Sequence, residues 1–272
     1  MKGISVVIIV KERYLALCRT MTGLKKSLYP PVEFILVNMN QVDVELSEMP
    51  FPVRQVSIEC TAKLPLAAAR NAGMAAACCE RVVFLDVDCI PAPDMLSVYA
   101  QEWVDDQLLS GQIRYLPANA SERSDEPENL YADSVVDPIR SGLTGLPYEL
   151  FWSLNFGCSK TLFSRIGRFD ENYLGYGAED TDFAFAAREK CVLIKSVPAI
   201  AYHQYHDSYS PPLNHLLDIV LNANRFYAKW RQWPMAGWLA KFEESGLISR
   251  KDGDIKLLRI PSAEEVQQAL KT

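Results

Sequence analysis

Apolar positions in this chain follow two periods, and their alternation organises its first half. Residues 4–10 (ISVVIIV) and 81–85 (RVVFL) are short β-branched runs of the kind that form strands buried on both faces. The runs at 32–37 and 53–58 read the same way, with the polar, proline-flanked stretch 41–52 between them. Residues 14–28 carry apolar side chains at helical spacing, and 64–79 is an alanine-rich helix. A further helix is expected over 93–109, with Pro93 in its first turn. Strands alternating with helices of this length predict βαβ units and a mainly parallel sheet. Ligands of such sheets bind beyond the carboxyl ends of the strands, which is where candidate chemistry is sought.

The second half is less regular. Residues 117–147 are polar and then punctuated by Gly142, Gly145 and Pro147, a pattern expected of a lid or a disordered segment. Order returns at 151–158, followed by a helix at 179–190 and strands near 192–197 and 200–203. From 213 through 233 to 246 the chain reads as helical, with Trp230, Trp233 and Trp238. One large domain, 1–211, with a helical C-terminal extension, 212–272, packed on it accounts for this pattern.

Composition narrows the class further. A chain of 272 residues that is 49% hydrophobic and 23% charged has the makings of a large core, which excludes disordered and fibrous classes. The formal net charge of -6 argues against a nucleic-acid partner, since neutralising phosphates takes clustered Lys and Arg. The apolar run 4–10 ends at Lys11, Glu12 and Arg13, too short for a secretory signal or a membrane span. Seven scattered cysteines without a C-x-x-C pair suggest neither a zinc ribbon nor a redox motif. Most of them read as small buried hydrophobes in a reducing cytoplasm.

Three D-x-D triplets occur, where 16 Asp in 272 positions predict about one by chance. Asp252-Gly-Asp254 lies in a turn signature and reads as solvated. Asp180-Thr-Asp182 sits on an expected helix, where side chains at i and i+2 diverge. Asp86-Val87-Asp88 alone follows an apolar strand. Two carboxylates a residue apart against an apolar layer repel each other and resist desolvation, and a hard divalent cation relieves both. The plainer reading is a pair of turn residues capping the helix that follows.

Two other stretches carry candidate chemistry. In Leu174-Gly-Tyr-Gly-Ala-Glu-Asp, flexible glycines bracket Tyr176, and Glu179 and Asp180 open a helix. Capping by the helix dipole explains the acids simply; a general base with an aromatic stacking platform beside it is the functional alternative. All three histidines, His203, His206 and His215, fall within thirteen residues, after the last strand. A neutral imidazole joining Asp carboxylates suits Mn²⁺ better than Mg²⁺.

The order of these blocks carries a resemblance. Ala68-Ala-Arg70-Asn71-Ala-Gly73, then VVFLDVDCIP, NFGCSKTLFSRIGRFDE, GYGAEDTDFAFAAR and AYHQYH resembles a glycosyltransferase of family 2, with a galactosyltransferase-type second half, over roughly residues 4–206. The resemblance implies the α/β GT-A fold, a Rossmann-like nucleotide-binding mixed sheet flanked by helices, here with a C-terminal helical tail. It implies transfer of a hexose from a nucleotide-sugar, commonly a UDP-sugar, to an acceptor hydroxyl, with Mn²⁺ (or Mg²⁺) as cofactor. By position, Asp86 and Val87 would lie by the ribose, and Asp86 and Asp88 would hold metal and diphosphate. His203, and His206 less directly, would complete the metal shell. Arg70 and Asn71 would stand by the nucleotide. Asn155 and Gly157 would line the sugar pocket with Phe156, and Tyr176 stands where relatives often have Trp. Asp180 would be the base of an inverting transfer, with Glu179 holding donor or acceptor.

The chain departs from that pattern in two places. Val10-Lys11-Glu12-Arg13 replaces a proline-containing turn, and Asn38-Met39-Asn40 stands where an Asp pair usually meets the base. Asn38 could still accept from a base through its amide oxygen. A nucleotidyltransferase would want a Gly-rich phosphate loop after the first strand, which is absent. A catalytically degenerate carbohydrate-binding or scaffold relative is opposed by the intact Asp86, Asp88, Asp180 and His203. The resemblance implies a glycan, lipid-linked or small-molecule acceptor. The basic, Trp-bearing C-terminal helices are expected to pack on the catalytic domain or on a second copy; the alternative is a peripheral contact with the inner membrane surface.

Overall fold

The computed structural model describes residues 2–39, 44–60 and 62–271. Asn40 and the first residues of the 41–52 stretch lie outside them. In chain order the elements are β1 (Ile4–Val10), α1 (Tyr14–Lys25), β2 (Glu33–Asn38), β3 (Val53–Ser57), α2 (Leu66–Ala76), β4 (Arg81–Leu85), β5 (Cys89–Pro91), α3 (Met95–Glu102) and β6 (Leu108–Tyr115). Next come α4 (Ala120–Arg123), α5 (Pro127–Asp133), β7 (Val135–Val136), β8 (Asn155–Ser159), α6 (Lys160–Ile166), α7 (Glu179–Glu189) and β9 (Ile194–His203). The remainder is β10 (Ser208–Tyr209), α8 (Leu216–Trp230), α9 (Ala236–Glu244), β11 (Ile248–Lys251), β12 (Asp254–Leu257), α10 (Ala263–Ala269) and β13 (Leu270–Lys271).

Strands β1 to β9 form one mixed sheet in the order β3-β2-β1-β4-β8-β6-β9-β5, with β7 paired to β6. The parallel half expected from the sequence is β3-β2-β1-β4. The antiparallel strand β8 joins it to β6 and so converts the sheet from parallel to mixed. Every residue of β1 and β2 is buried, because helices cover both faces. Alternate side chains separate accordingly. Val7 and Ile9 pack with α2, α6 and α7, while Val6, Ile8 and Val10 pack with α1 and α3. On the first face the Phe84–Phe156 and Phe169–Phe183 pairs stack at 4.6 and 4.3 Å.

Three boundaries differ from the sequence reading. The helix expected over 93–109 stops at Glu102, because Leu108 and Leu109 are fully buried in β6 between β8 and β9. The two strands expected at 192–197 and 200–203 are one strand, β9. A register shift against β6 at Ser110/Gln112 accommodates Pro198, which has no N–H for the ladder. The polar stretch after 117 folds into α4 and α5, with Leu130 buried against Ile90, Leu116 and Tyr202.

The C-terminal extension is helical as far as Glu244 and then departs from expectation by adding strands. β11 and β12 form a hairpin, and β13 pairs with β10. It has its own apolar cluster around Leu216, Ile219, Ala223, Leu239 and Phe242. Its tryptophans lie against aromatic neighbours: Trp230 on Phe185, Trp233 on Tyr227, Trp238 on Tyr176. Among the described residues no helix is long and apolar enough to cross a membrane.

Candidate active site

Strand β4 delivers the first two carboxylates. It ends at Leu85, and a turn closed by Cys89 N–H on the Asp86 carbonyl (3.0 Å) leads straight into β5. Strand β5 pairs antiparallel with the end of β9, opposing Cys89 to His203, and Gln204 N–H donates to the Asp88 carbonyl at 2.8 Å. Backbone pairing therefore brings Asp88 and the histidines together across more than a hundred residues. Asp88 Oδ1 lies 3.6 Å from His203 Nε2, and Oδ2 lies 3.6 Å from His206 Nε2. One donor atom from each of the three falls within 4.8 Å of the others. Burial lowers the His203 pKa against the opposing pull of Asp88, which favours the neutral imidazole that binds metals.

Asp86 belongs to a different set. Its Oδ1 faces Arg70 Nη2 at 3.8 Å, outside the Asp88–His203–His206 group, and Arg70 Nη1 donates to Glu179 Oε1 at 3.0 Å. Arg70 and Glu179 are both nearly fully buried, so this cation between two acids is held with little solvent screening. Burial pushes the Asp86 pKa up to about 7; Arg70 opposes this, and Asp88 and Glu179 add to it.

Asp180 opens α7 beside Glu179. Burial, then the Glu179 charge, raises its pKa to about 7, against Arg70 and the Thr181 amide, which donates to it at 2.7 Å. A carboxylate poised near neutrality is suited to taking a proton. The loop before it is unusual backbone. Gly175, Gly177 and Ala178 have φ of +79°, +93° and +74°, a left-handed run that an L-residue such as Ala178 adopts only under constraint.

The constraint comes from α8. Asn222 Nδ2 donates to the carbonyls of Leu174, Tyr176 and Gly177 at 3.1, 3.3 and 3.0 Å, and Asp218 accepts from Tyr176 N–H at 3.3 Å. Asp218 also pairs with Lys63 at 2.9 Å, and its carboxylate occupies the space a side chain at Gly175 would need. Sequence reading missed Asp218 and Asn222. Their signal was a polar pair at i, i+4 within the buried stripe of an amphipathic helix. The third histidine is here too: His215 stacks on Tyr176 at 4.4 Å, so one face of that ring already has a protein partner.

Other candidates are occupied within the fold. The Asn155 side chain is buried; its Oδ1 accepts from Tyr99 Oη at 2.8 Å, and its Nδ2 donates to the carbonyls of Ala199 and Gln112 at 2.9 and 3.3 Å. A Cβ at Gly157 would press on Tyr99 and Trp103, on the α3 side of the sheet. Asn71 donates to Phe169 O (2.9 Å) and Glu171 (2.8 Å), pinning the loop after α6. Asn38 is buried, and its Nδ2 donates to Gln55 at 2.8 Å. The Val87 carbonyl accepts from Thr20 Oγ1 at 2.8 Å.

Residues 5–233 match the family model described as glycosyltransferase like family 2. The chain belongs to that family. It is 28% identical over 169 residues to chondroitin synthase from Escherichia coli, a match covering 51% of this chain and 25% of that protein. Among solved structures, the S. aureus TarS 1-349 complex with UDP-GlcNAc aligns over 83% of this chain and 66% of its own, with a TM-score of 0.60 at 16% identity. The structure of GalNAc-T7 with UDP, GalNAc and Mn²⁺ aligns over 90% and 54%, with a TM-score of 0.57 at 17% identity. Identities this low speak to the fold, which is the GT-A arrangement of this glycosyltransferase family. The chain thus spans a quarter of that synthase and about two thirds of the TarS fragment.

Proposed function

We propose that this family 2 member transfers a sugar from a nucleotide-sugar, a UDP-sugar, to the hydroxyl of a glycan acceptor, with inversion at the anomeric carbon. One observation carries the reading: a buried Asp88 carboxylate with imidazole nitrogens 3.6 Å from each of its oxygens, at the carboxyl edge of a nucleotide-binding type of sheet. One carboxylate and two imidazoles fit Mn²⁺ better than Mg²⁺, so Asp88, His203 and His206 would hold the ion. When bound, such an ion offsets charge on a departing diphosphate.

The chain's own residues do the rest. Asp180 accepts the acceptor's hydroxyl proton; the oxygen bonds to the anomeric carbon, the bond from that carbon to the β-phosphate oxygen breaks, and the nucleoside diphosphate leaves. A single displacement with one base inverts the centre. Glu179, fixed by Arg70, would orient a sugar hydroxyl, and Arg70 with Asp86 would border the nucleotide. The ligands named for the GalNAc-T7 and TarS structures favour UDP and Mn²⁺, and the chondroitin synthase relative favours a glycan acceptor. Against the expectation of buried hydrophobes, only Cys89 and Cys158 among the seven cysteines are buried; all seven are free thiols, which suits a reducing setting.

A thermal-shift screen of nucleotide-sugars with and without Mn²⁺ tests this reading. A UDP-sugar should raise the melting temperature only when Mn²⁺ is present. A shift given equally by every nucleotide, or by none, would reject it.

A further inference from the structure

The guanidinium of Arg13 sits on the same oxygen of Asp88 that faces His206: Nη1 is 2.5 Å from Oδ2, and His206 Nε2 is 3.6 Å from it. A positive charge therefore sits on one of the three convergent donors that would hold an ion. Among the described residues this pair is the one hydrogen bond that the Arg13 side chain makes.

The two partners are not equally fixed. The Asp88 side chain is 5% exposed, whereas that of Arg13 is 38% exposed and approaches from solvent. Arg13 lines an open cavity of about 390 Å³ with Glu12, Tyr14, Arg19, Gln204 and Tyr205. The backbone beneath it is tied down. Gln204 Nε2 donates to Ala16 O and Thr20 Oγ1 at 3.0 and 3.2 Å, and Thr20 holds the Val87 carbonyl. Asp88 lines the same cavity, which leaves room beside α1 for the Arg13 side chain off the carboxylate.

From this geometry we infer that Arg13 is a placeholder cation. It neutralises Asp88 in the metal-free protein, and a divalent ion enters by exchange, displacing the guanidinium into the cavity. A buried carboxylate without a counter-charge is costly, so a resident cation keeps the empty site folded. The same contact must be broken before the ion gains Asp88, so Arg13 lowers the affinity for metal. The inference rests on the reading of Asp88, His203 and His206 as the metal site.

Calorimetric titration of Mn²⁺ alone, without nucleotide, into the wild type, Arg13→Met, Arg19→Met and Asp88→Ala tests both. Arg13→Met should bind Mn²⁺ about tenfold more tightly than the wild type. Arg19→Met removes a charge from the same cavity without touching Asp88, so it should stay within twofold; an equal gain there would mean simple repulsion and overturn the exchange. Wild type and Arg13→Met binding equally well, with Asp88→Ala silent, would refute the placeholder while leaving the metal site standing. If Asp88→Ala binds like the wild type, or no variant binds, the metal assignment fails and the placeholder with it. Arg13→Lys, which keeps a shorter cation, should fall between wild type and Arg13→Met. It supplies the comparison if the methionine variant folds poorly, and affinity equal to or below wild type would then reject the exchange.

Discussion

The chain spells D-x-D at the end of a strand and again at the start of a helix, and the two copies end differently. In Asp86-Val87-Asp88 both carboxylates stay at one sheet edge. Asp88 joins the histidines and Asp86 joins Arg70 and Glu179. In Asp180-Thr-Asp182 the helix turns the second carboxylate about 200° away from the first. Asp180 keeps company with Glu179 and Arg70, while Asp182 is buried on the far side. There it accepts from Tyr173 Oη, Lys229 Nζ and Trp230 Nε1 at 3.1, 2.8 and 2.7 Å. One triplet places both acids at the candidate site; the other places one there and makes the second a bolt between α7 and α8. The secondary structure beneath a short motif, more than the motif, decides what its residues do.

Asp180 should be the most sensitive of these carboxylates. Replacing it with Asn should lower turnover by roughly two to four orders of magnitude while UDP–Mn²⁺ affinity stays within threefold. A variant retaining more than a tenth of wild-type turnover would remove Asp180 as the base. In the wild type, kcat/KM should rise with pH through about 7, the value to which burial pushes Asp180. Stability runs the other way. Asp86 and Asp180 both titrate above their ordinary 3.8 in the folded protein, so the native state binds more protons between about pH 4 and 7. The metal-free protein should lose stability as pH rises through that window, which thermal melts across it would reveal.

Asp182→Asn should leave chemistry largely intact and act on the fold. It weakens the bond to Lys229, and the amide group can no longer accept from all three donors in the same geometry. Lys229 is 39% exposed and regains water, which limits the loss to about 2–4 kcal/mol. Urea denaturation measures it; an unchanged midpoint would mean that the bolt carries no load. The third triplet supplies the small end of the scale. Asp252, at φ +54° in the β11–β12 turn, should tolerate Asn within about 0.5 kcal/mol, since Asn accepts left-handed backbone as readily.

Much of this contrast was legible in the sequence, because it depends on local periodicity. Apolar runs located β1, β2 and β4, and the apolar strand that ends at Leu85 singled out the triplet whose two carboxylates stay at one sheet edge. The clustering of histidines after a final strand pointed to His203. What sequence could not show depends on pairing between distant segments. Arg13 looks like any loop arginine until the fold sets it on a residue 75 positions away. Asn155 reads as a pocket amide until Tyr99, Gln112 and Ala199 use up its hydrogen bonds. Asp218 and Asn222 lie past the last recognisable motif, yet they hold the loop that carries Tyr176. The strand at Leu108 was hidden for another reason: no glycine or proline separates it from the helix before it.

Asp88 is proposed to anchor a metal through which the donor is held, and calorimetry of UDP binding probes that role. Titrating UDP into the wild type should give binding that requires Mn²⁺ and that weakens at least tenfold in Asp88→Ala. UDP bound equally well without Mn²⁺, or with unchanged affinity by Asp88→Ala, would mean that Asp88 holds no metal for the donor.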